Sequence, residues 1–118
     1  MFLERLNRIS SRIDGAIALS LVAADGIPVE SVNTDPRLDL EVLAAELIAQ
    51  VRVISDDHRE LNVGEVRQLA ITTDLFTLMV TNVADGYYLL LVLADASSYG
   101  RARFELRRAR LLFEPDLT

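Results

Sequence analysis

The sequence predicts a mixed α/β fold in which helices cover an antiparallel sheet, with elements in the order α-β-β-α-β-β-β-α. Three observations carry that reading. Apolar residues recur at helical spacing in three separate stretches. Five shorter stretches between them read as strands. The turns that join neighbouring strands, built around Asp-Gly and Asp, are too short for anything but antiparallel partners.

Phe2, Leu6, Ile9 and Ile13 stand on one side of a short amphipathic helix, which Asp14-Gly15 ends. Residues 16–22 alternate Ile17, Leu19 and Leu21 with the small Ala16, Ala18 and Ser20, the period of a strand. Asp25-Gly26 supplies the positive φ of a tight hairpin turn, and residues 27–32 return, with Pro28 marking an edge or a strand start. Residues 33–36 are turn chemistry. Thr34 or Asp35 is placed to cap a long helix over residues 36–57 that has Pro36 at its first position. Gly64 falls in the loop beyond. Three strands follow at 66–73, 75–83 and 87–93, separated by turns at Asp74 and at Ala84-Asp85-Gly86. Ser97 or Ser98 is placed to cap a last helix that runs to about Phe113, where Glu114-Pro115 stops it.

The bulk numbers bound the function. With 118 residues, a single domain over 1–118 is expected, and 51% hydrophobic residues exclude a disordered chain. The longest apolar run, residues 87–94, is too short to cross a bilayer, so no membrane insertion is expected. Met1-Phe2-Leu3 is followed at once by Glu4 and Arg5, which leaves no signal-peptide core and predicts a cytoplasmic location. There is no cysteine for a disulfide, a thiolate metal site or a nucleophile. The formal net charge of −6 argues against a nucleic-acid partner. All twelve basic residues are Arg, and Arg101, Arg103, Arg107, Arg108 and Arg110 crowd the last helix.

The second helix is the most informative element. At about 100° per residue, Leu40, Leu43, Ala44, Leu47, Ile48, Val51 and Ile54 form one broad apolar face that must cover the sheet. The opposite side carries Val42, Ala45, Ala49 and Val53, flanked by Glu41, Glu46, Gln50 and Arg52. A helix apolar on two opposite sides is covered twice, and in so short a chain a second subunit is the available cover. Small side chains let a symmetry-related helix approach closely. The expected dimer interface is therefore Val42, Ala45, Glu46, Ala49, Arg52 and Val53. The competing reading makes Ala45 and Ala49 good helix formers on a solvated face, but the two valines do not suit it.

Catalytic or metal-binding chemistry is not expected. His58 stands beside Asp56, Asp57 and Glu60, a set that could hold a metal, but a helix end accounts for the same residues. Asp14, Asp25, Asp35, Asp74, Asp85 and Asp95 fall at turns, which need such residues. No lysine exists, so the usual phosphate-loop nucleotidase is excluded, and no Gly-x-Ser-x-Gly motif occurs. The chain is expected to have no catalytic residue, no metal and no cofactor. On the last helix, Tyr99, Ala102, Leu106, Ala109 and Phe113 make a core stripe. Phe104 and Leu111 lie opposite, flanked by Arg101, Arg107 and Arg108. That side is either a partner surface, since aromatic residues and Arg are enriched at interfaces, or a solvated face with two stray apolar residues.

The element order, the hairpin segment GAIALSLVAADGIPVES (residues 15–31) and the segment YGRARFELRRA (residues 99–109) together resemble the Roadblock/dynein light chain family over nearly the whole chain. The resemblance implies a Roadblock/longin-like fold, a five-stranded antiparallel sheet sandwiched by helices. It implies homodimers, or heterodimers with a paralogous Roadblock protein, that pair their second helices and extend the sheet. It also implies a non-enzymatic regulator or scaffold of a Ras-like small GTPase, of the bacterial type linked to polarity and gliding motility, which can promote GTP hydrolysis. It supplies no fixed catalytic residue. Two other readings stand beside it: a structural adaptor joining a larger complex without a GTPase, and a PAS-like small-molecule sensor. The sensor requires an internal cavity with polar anchors, and the Leu, Ile and Val of the strands offer few.

Overall fold

The computed structural model describes residues 2–94 and 99–117, apart from the side chains of residues 58 and 59. Along the chain these form α1 (Phe2–Ser11), β1 (Ala16–Ala23), β2 (Pro28–Asn33), α2 (Leu40–Leu61), β3 (Gln68–Thr72), β4 (Thr77–Ala84), β5 (Tyr87–Leu93) and α3 (Tyr99–Leu117). The strands make one five-stranded sheet in the order β2-β1-β5-β4-β3, antiparallel at every pairing. The element order and the sheet are those expected from the sequence.

β5 is central because its residues are apolar without a break, which only a strand covered on both faces tolerates. Its alternation divides the core. Leu89, Leu91 and Leu93 join Leu19, Leu21, Met79 and Val83 beneath α1 and α3, which contribute Leu6, Ile9, Ala102, Leu106, Ala109 and Phe113. Leu90 packs with Val22 and Val80 beneath Ala44, Leu47, Ile48 and Val51 of α2, and Val92 packs with Ala18 and Leu40. The result is three layers: α1 and α3, the sheet, and α2. The expected alternation of Ile17 with Leu19 and Leu21 is broken. A bulge between Ala16 and Ala18 turns Ile17 toward α2 and Ala16 toward the other layer.

Three helix boundaries differ from the expected ones, for identifiable reasons. α2 begins at Leu40 rather than Pro36. The Asp35 carboxylate is occupied by Arg37, whose backbone N–H donates to Oδ1 at 3.0 Å and whose Nη2 donates to Oδ2 at 3.2 Å. The Thr34 hydroxyl donates to the Ile17 carbonyl at 2.8 Å. With both candidate caps engaged, Asp39 takes the role, its Oδ1 accepting the Val42 N–H at 3.2 Å. The helix then runs to Leu61 and ends on Asn62, which adopts a left-handed φ of 56°. α3 continues through Pro115 to Leu117 instead of stopping near Phe113. Arg5 of α1 holds this last turn down, donating to the Leu112 carbonyl at 3.2 Å and pairing with Asp116, while Phe2 stacks on Phe113 with centroids 5.8 Å apart. The expected caps Ser97 and Ser98 lie outside the described residues.

Candidate functional site

The sheet fixes the orientation of α2. With Ala44, Leu47, Ile48 and Val51 buried against the strands, the opposite side must point outward. Val42, Ala45, Glu46, Ala49, Arg52 and Val53 are all exposed there, Val42 to 58% and Val53 to 57%. Ala49 lies at the middle of the stripe, with Val42 and Val53 within about 40° of it on the helical wheel. Ala45 and Arg52 form the border nearest the β1–β2 hairpin. A Cβ placed on Gly26 in that hairpin would come within 3.1 Å of the Ala45 Cα, so only glycine lets the turn lie this close to the helix. The Arg52 guanidinium donates to the Ala24 carbonyl in the same turn and ties the two elements together. The structure thus brings all six residues to one outward stripe.

α3 presents the second surface. Its core stripe is buried as expected, and Phe104 and Leu111 point away from it, 51% and 76% exposed. Arg101 and Arg108 lie against the Phe104 ring, their guanidinium carbons 5.6 and 5.7 Å from its centroid. Arg107 is exposed on the same helix, toward β3. Sequence reasoning missed the residue that organises this face. Glu105 is 1% exposed at the junction of α1 and α3, with Arg101 at 3.1 Å, Arg108 at 3.7 Å and Arg12 at 3.8 Å from its carboxylate oxygens. Among the described residues, no group donates a well-aligned hydrogen bond to its Oε1. The spacing of Arg101, Glu105 and Arg108 on one helix was the available signal.

Two surface clefts flank these helices. One, of about 750 Å³, runs between the approach to β3 and α3 and includes Arg67, Gln68, Arg103, Arg107 and Arg110 in its lining. The other, of about 550 Å³, lies where α2 approaches the β4–β5 turn and includes Arg52, Asp56 and Tyr88. Among the described residues no three His, Cys, Asp or Glu side chains converge as metal ligands; the His58 side chain lies outside those residues. Among the described residues, too, no helix is long and apolar enough to cross a membrane.

The fold has close relatives. A Roadblock/LC7 domain from Streptomyces avermitilis superposes with a TM-score of 0.88 at 17% identity, covering 98% of this chain and 96% of that one. The gliding protein MglB from Thermus thermophilus gives 0.81 at 17% identity, over 91% and 81% of the two chains. MglC from Myxococcus xanthus gives 0.71 at 26% identity, over 98% of each. No curated protein sequence matches significantly. The sequence model of the Roadblock/LC7 domain matches residues 4–94, which span α1 through β5. This chain belongs to the Roadblock/LC7 family.

Proposed function

We propose that this chain works as a dimer, with itself or with a paralogous Roadblock protein, and regulates or scaffolds a Ras-like small GTPase without catalysing a reaction itself. The observation that carries the reading is the outward stripe of α2. Val42 and Val53 place two branched apolar side chains in water about 16 Å apart along the helix, with only small or flanking polar groups between them. An antiparallel two-fold axis passing between residues 47 and 48 would set Val42 opposite Val53 of the partner subunit and bring alanine surfaces into close contact. Glu46 and Arg52 then border the contact with opposite charges. Membership of the Roadblock/LC7 family, together with the likeness of fold to the gliding proteins MglB and MglC, supports the GTPase side of the proposal.

The test is light scattering on the pure protein, repeated with a candidate Ras-like GTPase loaded with GDP or with a GTP analogue. A dimer that co-elutes with the GTP-analogue form alone supports a regulator, and hydrolysis rates then measure activation. A dimer indifferent to every Ras-like partner offered supports the second reading, a structural adaptor. One observation favours that alternative: α3 carries another exposed aromatic and basic face on the far side of the sheet from α2.

A further inference from the structure

The α1 and α3 layer differs in charge from the rest of the molecule. It carries eight arginines, Arg12 just past α1 included, against four carboxylates, in a chain whose formal net charge is −6. On its outer side Phe104 is clasped by Arg101 and Arg108, and both guanidinium groups are also drawn to the buried Glu105. Arg12 of α1 reaches the same carboxylate from the neighbouring helix. Leu111 continues the ridge about two turns further along α3.

We propose that this ridge is a docking surface for an acidic protein partner that offers an apolar site to Phe104 and carboxylates to Arg101 and Arg108, and that Glu105 is its positioning residue. Basic excess on one layer of an acidic chain orients an acidic partner toward that layer and away from the others. Phe and Arg are both enriched at protein interfaces, and Arg is among the residues that dominate binding energy there. Long Arg side chains ordinarily lose rotamer freedom on binding; here Glu105 and the Phe104 ring hold two of them in place beforehand, which lowers that cost. The same anchoring distinguishes a protein partner from an anionic bilayer, which attracts basic residues by charge and needs no fixed geometry. Each arginine makes an ion pair with Glu105, and a guanidinium carries five N–H groups with which to meet a partner's carboxylate as well.

The assignment does not depend on the dimer, since the ridge and the α2 stripe lie on opposite sides of the sheet. The probe is a fluorescein-labelled helical peptide of about five turns, with Leu and Trp along one face and Glu along the other. Its Lys-for-Glu counterpart, vesicles of phosphatidylcholine mixed with phosphatidylglycerol, and a short DNA duplex serve as comparisons. Anisotropy should show binding of the Glu peptide that weakens with added salt, by at least tenfold with Phe104→Ala, and that is abolished by the double change R101E/R108E. Leu61→Ser, on an exposed residue of α2, should leave it unchanged. Glu105→Gln is the decisive variant. It makes the face more positive, so charge alone predicts tighter binding, whereas positioning predicts weaker binding, by about threefold or more, in a protein whose circular dichroism and melting curve show it folded. If Glu105→Gln unfolds the chain, Glu105→Asp takes its place: it keeps the charge, so charge alone predicts unchanged binding, whereas a shortened side chain that no longer reaches both arginines predicts weaker binding. Tighter binding by Glu105→Gln would overturn the positioning role. The docking surface is overturned by no binding of the Glu peptide, by equal binding of the Lys peptide, by preference for vesicles or DNA, or by indifference to the ridge variants.

Discussion

Gly26 illustrates how a single residue joins two elements. Its φ of 87° belongs to the left-handed region, and a Cβ there would press on the Ala45 backbone of α2 at 3.1 Å. Gly86, in the β4–β5 turn, has a φ of 80° but open space around it. Gly26→Ala should therefore cost more than Gly86→Ala: about 1 kcal/mol for the backbone alone at Gly86 and roughly 2 kcal/mol or more at Gly26. Urea unfolding of the two variants measures the difference, and equal losses would show that the contact with Ala45 is relaxed at no cost. The turn at Gly26 was legible from Asp25-Gly26; its closeness to the helix was not, because no local pattern reports a contact nineteen residues away. Asp35 offers a second residue-scale check. Arg37, donating from its side chain and its backbone N–H, holds the Asp35 carboxyl below its ordinary value. A lowered folded-state value means that the contribution is present above the ordinary carboxylate range and is lost as pH falls through the lowered value. The melting temperature of Asp35→Asn should lie below that of the unaltered chain at neutral pH, and the gap should close on acidification. A gap that stays constant with pH would show that the pair does not stabilise the fold.

At the scale of elements, α2 separates what sequence periodicity can locate from what it cannot. Its two apolar faces follow from residues 40–54, and the structure buries the broad one and exposes the other. Its first residue did not follow, because Thr34, Asp35 and Asp39 are all plausible caps in isolation. The choice is made by contacts of Thr34 with β1 and of Asp35 with Arg37. Asp39→Ala should lose about 1 kcal/mol of stability as a removed N-cap, while Thr34→Ala should leave the helix start in place. Amide exchange of the first turn of α2 reads both effects. α3 gives a parallel case: Pro115 is a fair stop signal, but Arg5 and Phe2 of α1 secure the turn that contains it. Glu105 escaped notice because a glutamate on an arginine-rich helix reads as solvated until a neighbouring helix covers it.

At the scale of the molecule, the three-layer arrangement leaves one helix on one side of the sheet and two on the other. The order of elements and the unbroken apolar run of β5 made that architecture legible, since a central strand covered on both faces demands a helix layer on each. The surfaces were legible as residue types at helical spacing; their separation onto opposite sides of the sheet needed the fold. That separation has a consequence for the assembly. Ala49 is exposed in the single chain, so Ala49→Arg should change the stability of the isolated fold by no more than about 0.5 kcal/mol, as surface substitutions do. In a helix-to-helix dimer the same change forces two long charged side chains into a contact that only small residues let close, and should dissociate the pair. Pairing through α2 is read most simply from the light-scattering mass of the unaltered chain. A mass twice the 13.1 kDa of one chain, at micromolar concentration, is the predicted result; a mass of one chain under the same conditions would contradict self-pairing through α2.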